Sequence, residues 1–154
     1  NASPLIFMSR AGRLDIIHSI FHEVFIPEVV VAEIQARGKN DVTDKAIDST
    51  PRLEIVHSTQ ISDRITEWGV GAGESMVRSY ACLNPGIEAI IDDLAARKCA
   101  ACLGIPVRGT LGMVLLARQN GHIASAREVM EDLVKAGLYL SKNILDRALA
   151  RVNE

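Results

Sequence analysis

Four carboxylates stand out in an alternating strand and helix pattern: Glu33 well inside its helix in PEVVVAEIQ, and Glu74 in GAGES and Asp92 and Asp93 in EAIIDDL at the ends of elements. As a group they suit a hard divalent ion, because Mg²⁺ prefers carboxylate oxygens and retained water. An ion so held makes a nucleophile from water and takes up the charge that develops on a phosphate oxygen, the two needs of phosphodiester hydrolysis. Carboxylates packed together without a cation repel and raise one another's pKa. Each also has a plain structural use. Glu33 fits the solvated face of an amphipathic helix, Glu74 the positive N-terminal end of its helix, worth about 0.3–1 kcal/mol, and Asp92 or Asp93 the N-cap of the helix that follows.

Other reactive residue types point to less. Cys99 and Cys102 sit three apart in RKCAACLG, but no second pair stands at zinc-ligand spacing, so they read as small, buried, reduced thiols. His18 and His22 have the spacing that puts two imidazoles on one helix face, yet Ser19 stands where a zinc protease carries Glu. A helix flank and a C-terminal turn account for them. GVGAGES lacks the Lys-Ser or Lys-Thr ending of a P-loop, which weakens a nucleotide-binding reading.

The elements that must position the acids follow from composition and pattern. The 154 residues suit one domain, 1–154, and 48% hydrophobic content with 4% aromatics describes an aliphatic interior. A net charge of −2 and a pI near 6.1 give no global basic footprint, so any nucleic-acid contact is local. No apolar run reaches the ~20 residues that span a bilayer, and the expectation is a cytoplasmic protein with no membrane association. Ser3-Pro4 reads as N-cap and first position of a helix to Ser9, and GRLDIIHSIF as a second helix. EVFIP, LEIVHS, EAIIDD and IPVRG read as strands. PEVVVAEIQARG, ISDRITEWG, GAGESMVRSYACL, DLAARKCAACLG, TLGMVLLARQNG, SAREVMEDLVKAG and SKNILDRALARV read as helices, and KNDVTDKAIDST as a loop with a short exposed helix. The alternation implies a parallel sheet wrapped by helices, with ligands beyond the carboxyl ends of the strands. Asp92, Asp93, Thr110 and Glu74 fall at such ends, and Glu33 lies two turns into its helix.

These motifs in this order resemble the PIN-domain nucleases: ASPL near the start, P-x5-E-I in PEVVVAEI, G-x-G-E in GAGE, I-I-D-D before a helix with Ala-Ala-Arg, and GTLG after a short strand. The likeness is to the bacterial and archaeal PIN-like subfamily with SPLI and GTLG signatures, and it covers nearly the whole chain. It implies a three-layer α/β/α fold with a central parallel sheet, and a metal-dependent ribonuclease related to VapC toxins. Carried over by position, Glu33, Glu74 and the pair Asp92-Asp93 match the second, third and fourth family acids, converging on Mg²⁺ or Mn²⁺. Asn1 stands at the first acid's position, where one neutral carbonyl oxygen would hold an ion weakly and favour Mn²⁺. Ser3 and Thr110 match polar residues about the site, and Arg97, Lys98 and Arg108 lie near enough in sequence to contact phosphate, although each also suits an ordinary surface. The first, central strand of such a fold would lie ahead of residue 1, and the expectation is that upstream residues of the native protein supply it. The resemblance implies RNA as substrate, a small antitoxin protein as partner and a homodimer. A catalytically weak PIN-fold module for RNA or protein binding is the alternative, and Asn1 supports it.

Overall fold

Proline and polar caps punctuate the chain, and the helices begin where they do for that reason. The computed structural model describes residues 2–37, 42–49, 52–57 and 72–154. The first helix, α1 (Ser3–Arg10), carries Pro4 in its first turn, where a missing N–H costs nothing. Ala2 takes the cap position, so Ser3 is one place inside the helix rather than its N-cap. Helix α2 (Asp15–Ile20) stops because Phe21 is extended, leaving His22 beyond the helix and off the face that His18 occupies. Strand β1 (Val24–Pro27) runs straight into α3 (Glu28–Gln35), with Pro27 at φ −59° serving as the cap.

Helix α4 (Val42–Ser49) was expected to be exposed, but Thr43 and Ile47, four apart on one face, are buried. After β2 (Leu53–Val56) come α5 (Ala72–Leu83), β3 (Ala89–Ile90), α6 (Leu94–Cys102), β4 (Val107–Arg108) and α7 (Thr110–Gln119). The chain closes with α8 (Ala126–Lys135) and α9 (Lys142–Leu149), capped by the Ser125 and Ser141 hydroxyls, and a 3₁₀ turn over Ala150–Val152. The expected helix ISDRITEWG lies outside the described residues, as does Asn1.

All described strand pairing is parallel, in two separate pairs: β1 with β2 (Val24 beside Leu53, Pro27 beside Val56) and β3 with β4 (Ala89 beside Val107). The strands are shorter than the sequence suggests, because a ladder extends only where a neighbour supplies partners. Helix α5 packs against both β1 and β3 and so bridges the pairs. Between them lies an apolar cavity of about 140 Å³, lined by β1, by Ile90 of β3 and the preceding Ile87, and by Leu5, Val77 and Met113.

The main core joins α1, α2, α3, α7 and α8 through residues such as Ile6, Met8, Ile16, Ile34, Val114 and Leu133. A smaller cluster joins α5, β3 and α6 through Ala81, Ile91, Ala96 and Ile105, and Val77 packs against both. Of the three free cysteines only Cys99 is buried; Cys82 and Cys102 are exposed, since Cys102 is the last residue of α6. No helix among the described residues is long and apolar enough to cross a membrane.

Candidate functional site

Glu33 is carried on α3 and reaches across to the first turn of α5. Its Oε1 accepts the Gly73 N–H at 3.0 Å. A methyl group at position 73 would lie 2.5 Å from Oε1 and 2.7 Å from Oε2 of Glu33, so only glycine lets the carboxylate come this close. Glu74 is the next residue in the same turn. Glu33 therefore reaches the helix N-terminus whose first turn carries Glu74, where N–H groups and the helix dipole offset negative charge. One turn further along, Arg78 is fully buried and its guanidinium has no hydrogen-bond partner among the described residues.

Asp92 is held by the other strand pair. It follows β3 and the buried Ile91, and both of its oxygens are engaged at the start of α7. Oδ1 accepts the Thr110 N–H and Oδ2 accepts the Thr110 hydroxyl, each at 2.7 Å. Thr110 is fully buried, so it holds Asp92 in place instead of standing at a rim open to substrate. Gly109 makes this approach possible, since a Cβ there would meet Asp92 Oδ1 at 3.0 Å and Arg97 Nη1 at 3.3 Å. Gly112 serves Arg108 similarly: a Cβ there would lie 2.9 Å from its Cγ. The two glycines of GTLG are thus clearances for Asp92, Arg97 and Arg108.

Neighbouring Asp93 turns the other way. It is exposed and caps α6, its Oδ1 accepting the Ala96 N–H at 2.7 Å. Arg108 donates through Nε to Glu88 at 2.9 Å, with both side chains about a quarter to a third exposed. The structure joins Glu33 to the Glu74 turn, and Asp92 to Thr110, with Arg97 Nη1 on the other side of Gly109. Ser3, in the first turn of α1, belongs to neither group of contacts just described.

A family model described as DUF3368, a PIN domain, matches residues 1–154. The chain belongs to the PIN-domain family. No curated protein and no solved structure matches it. PIN domains are typically nucleases and generally depend on divalent metals, which places this PIN domain in a nuclease superfamily.

The donor chemistry of this PIN domain suits a hard cation, because its candidate ligands are all carboxylates. Each carboxylate oxygen carries two lone pairs, so an oxygen that accepts one hydrogen bond can still bind an ion. Among the described residues, however, no three acidic, imidazole or thiol groups stand close enough together to hold an ion. Sequence reasoning missed the part played by Gly73, Gly109 and Gly112. Their spacing was visible as G-x-G-E and G-T-L-G, but the reason for it is the carboxylate or arginine that each glycine admits.

Proposed function

We propose that this PIN domain is a divalent-metal-dependent endoribonuclease of the cytoplasm, using Mg²⁺ or Mn²⁺, with Glu33, Glu74 and Asp92 as the main ligands and Asp93 beside them. The observation that supports the reading is that Glu33 reaches the Gly73 N–H, one residue before Glu74, at a point where a Cβ would collide with the Glu33 carboxylate. Closing Asp92 onto that pair places like charges together, and a cation is what makes such an approach favourable. When bound, the ion would lower the pKa of water and stabilise charge on the phosphoryl oxygens.

The chain's own groups supply the rest. A site carboxylate accepts the proton of the attacking water as its oxygen bonds to phosphorus. The bond from phosphorus to the leaving ribose oxygen breaks, and that oxygen takes up a proton. Thr110 keeps Asp92 in one rotamer through two hydrogen bonds of 2.7 Å, so its orientation needs no reorganisation during the reaction. Arg97, whose Nη1 lies beside Gly109, is the cation nearest to hand for a scissile phosphate. Asn1 would contribute one neutral oxygen, Ser3 and Arg108 would touch substrate, and the toxin role, a small antitoxin partner and a homodimer belong to the same reading.

Calorimetric titration with Mn²⁺ tests the ligand set. Micromolar-range binding that weakens at least tenfold in both Glu33→Gln and Glu74→Gln is the expected outcome. Heats no larger than dilution in the wild type would overturn it. A second reading, a PIN fold that binds RNA without cutting it, is favoured by the lack of any three metal-ligating groups standing together among the described residues. Strong RNA binding with no ion-dependent cleavage would establish that reading instead.

A further inference from the structure

Beside the Asp92 group lies a cleft of about 420 Å³ between the start of α7 and the last helix. Four arginines line it: Arg97 from α6, Arg108 from β4, Arg147 from α9 and Arg151 from the 3₁₀ turn. Among the described residues no aspartate or glutamate lines it. Arg108 is paired with Glu88, but Arg97, Arg147 and Arg151 are exposed and make no ion pair among the described residues. Such a concentration of cations contrasts with a net charge of −2 for the chain.

The cleft and the acid site share a wall. Gly109 lines the cleft, and its missing side chain is the gap between Asp92 Oδ1 and Arg97 Nη1. An anion lying along the cleft would therefore end at Asp92. All four cations are arginine rather than lysine, and the planar guanidinium fork matches phosphate in two parallel hydrogen bonds. Leu111, Leu115 and Ile144 supply apolar surface between them, where the uncharged parts of a nucleotide could rest.

We propose that this cleft binds the phosphate backbone of single-stranded RNA next to the bond being cut, with Arg147 and Arg151 as the outer contacts and Arg97 as the inner one. The proposal rests on the nuclease reading for its direction toward Asp92. It assigns a binding role to the end of the chain, which carries none of the candidate acids. A single strand fits better than a duplex, because a lone backbone can follow a cleft of this size with its bases turned outward.

Fluorescence anisotropy with a labelled 12-nucleotide single-stranded RNA, in EDTA and over a range of KCl, tests this without any cleavage. Each phosphate contact on a single strand contributes a slope of about −0.7 in the logarithm of affinity against the logarithm of salt. Arg147→Gln with Arg151→Gln should weaken binding about 10- to 100-fold and make the slope shallower by about 1.4. The paired Arg→Lys variant should keep most of the slope and lose part of the affinity. Unchanged affinity and slope in the glutamine variant would overturn the proposal. So would a poly-glutamate peptide that displaces RNA at equal charge concentration, since the cleft would then be an acidic-protein site. RNA binding that depends on these arginines, without ion-dependent cleavage, would sink the nuclease reading and leave the cleft standing. Cleavage that needs Glu74 but ignores Arg147 and Arg151 would do the opposite.

Discussion

Gly73 decides how close two acids can come. With a Cβ only 2.5 Å from Glu33 Oε1, Gly73→Ala forces the carboxylate out of its contact with the α5 N-terminus. The expected result is little change in stability, because the displaced carboxylate is the far end of a flexible side chain, with Mn²⁺ affinity falling at least tenfold. Denaturant melts and calorimetry on the same variant would show both, and full affinity would mean that Glu33 binds no ion. Arg78 poses the reverse problem: a buried charge with no partner among the described residues is costly. Arg78→Leu should therefore raise stability by about 1 kcal/mol or more, read from the urea midpoint. A fall of that size would reveal an anion paired with it. The acids were visible in the sequence because carboxylates near strand ends suit one chemistry. The buried guanidinium of Arg78 was not, because an arginine at an apolar helix position looks like any surface charge until its burial is known.

At the scale of elements, Asp93 and Asp92 divide two tasks that the sequence left open. The Asp93 carboxylate caps α6, so Asp93→Ala should cost about 0.5–2 kcal/mol in thermal or urea unfolding. Asp92→Asn keeps its size and hydrogen-bonding reach, and should cost less stability and more activity. Equal effects of the two variants on both measurements would contradict this division. Helix starts were readable at Pro27, Ser125, Ser141 and near Thr110, since caps and proline act locally. Strand lengths were not. EAIIDD and IPVRG shrink to Ala89–Ile90 and Val107–Arg108 because a strand's extent depends on which neighbour pairs with it. Arg147 and Arg151 were likewise visible only as a basic pair four apart on a terminal helix, and packing against α7 gives them their place.

Across the whole molecule, Glu154 ties the end of the chain to the start of α8. Its Oε1 accepts from Arg118 Nε at 2.8 Å and the Ala126 N–H at 2.9 Å, while Oε2 accepts from the Ser125 hydroxyl and the Arg127 N–H at 3.0 Å. The Arg127 and Ala126 N–H groups, above all, lower its pKa from 4.5 to about 2. A carboxylate whose folded pKa is depressed adds stability above its unfolded pKa and loses that contribution as pH falls through the folded value. Glu154→Gln should therefore melt below the wild type at neutral pH, and the gap should close between about pH 4.5 and 2. A gap that stays constant across that range would show that the charge does not matter. This clasp holds α7 and α8 to the 3₁₀ turn that carries Arg151, so it also supports one side of the arginine cleft.

The central claim is that carboxylates from α3, from α5 and from the end of β3 act together through a divalent ion to cut RNA. Cleavage of an end-labelled single-stranded RNA by the wild type and by Glu74→Gln, with Mn²⁺, with EDTA and with excess Mn²⁺ restored, tests it most directly. The account predicts endonucleolytic cleavage with Mn²⁺, none in EDTA, recovery on restoring the ion, and a rate at least 10- to 100-fold lower in Glu74→Gln. Cleavage that survives EDTA, or equal rates for the two proteins, would contradict it.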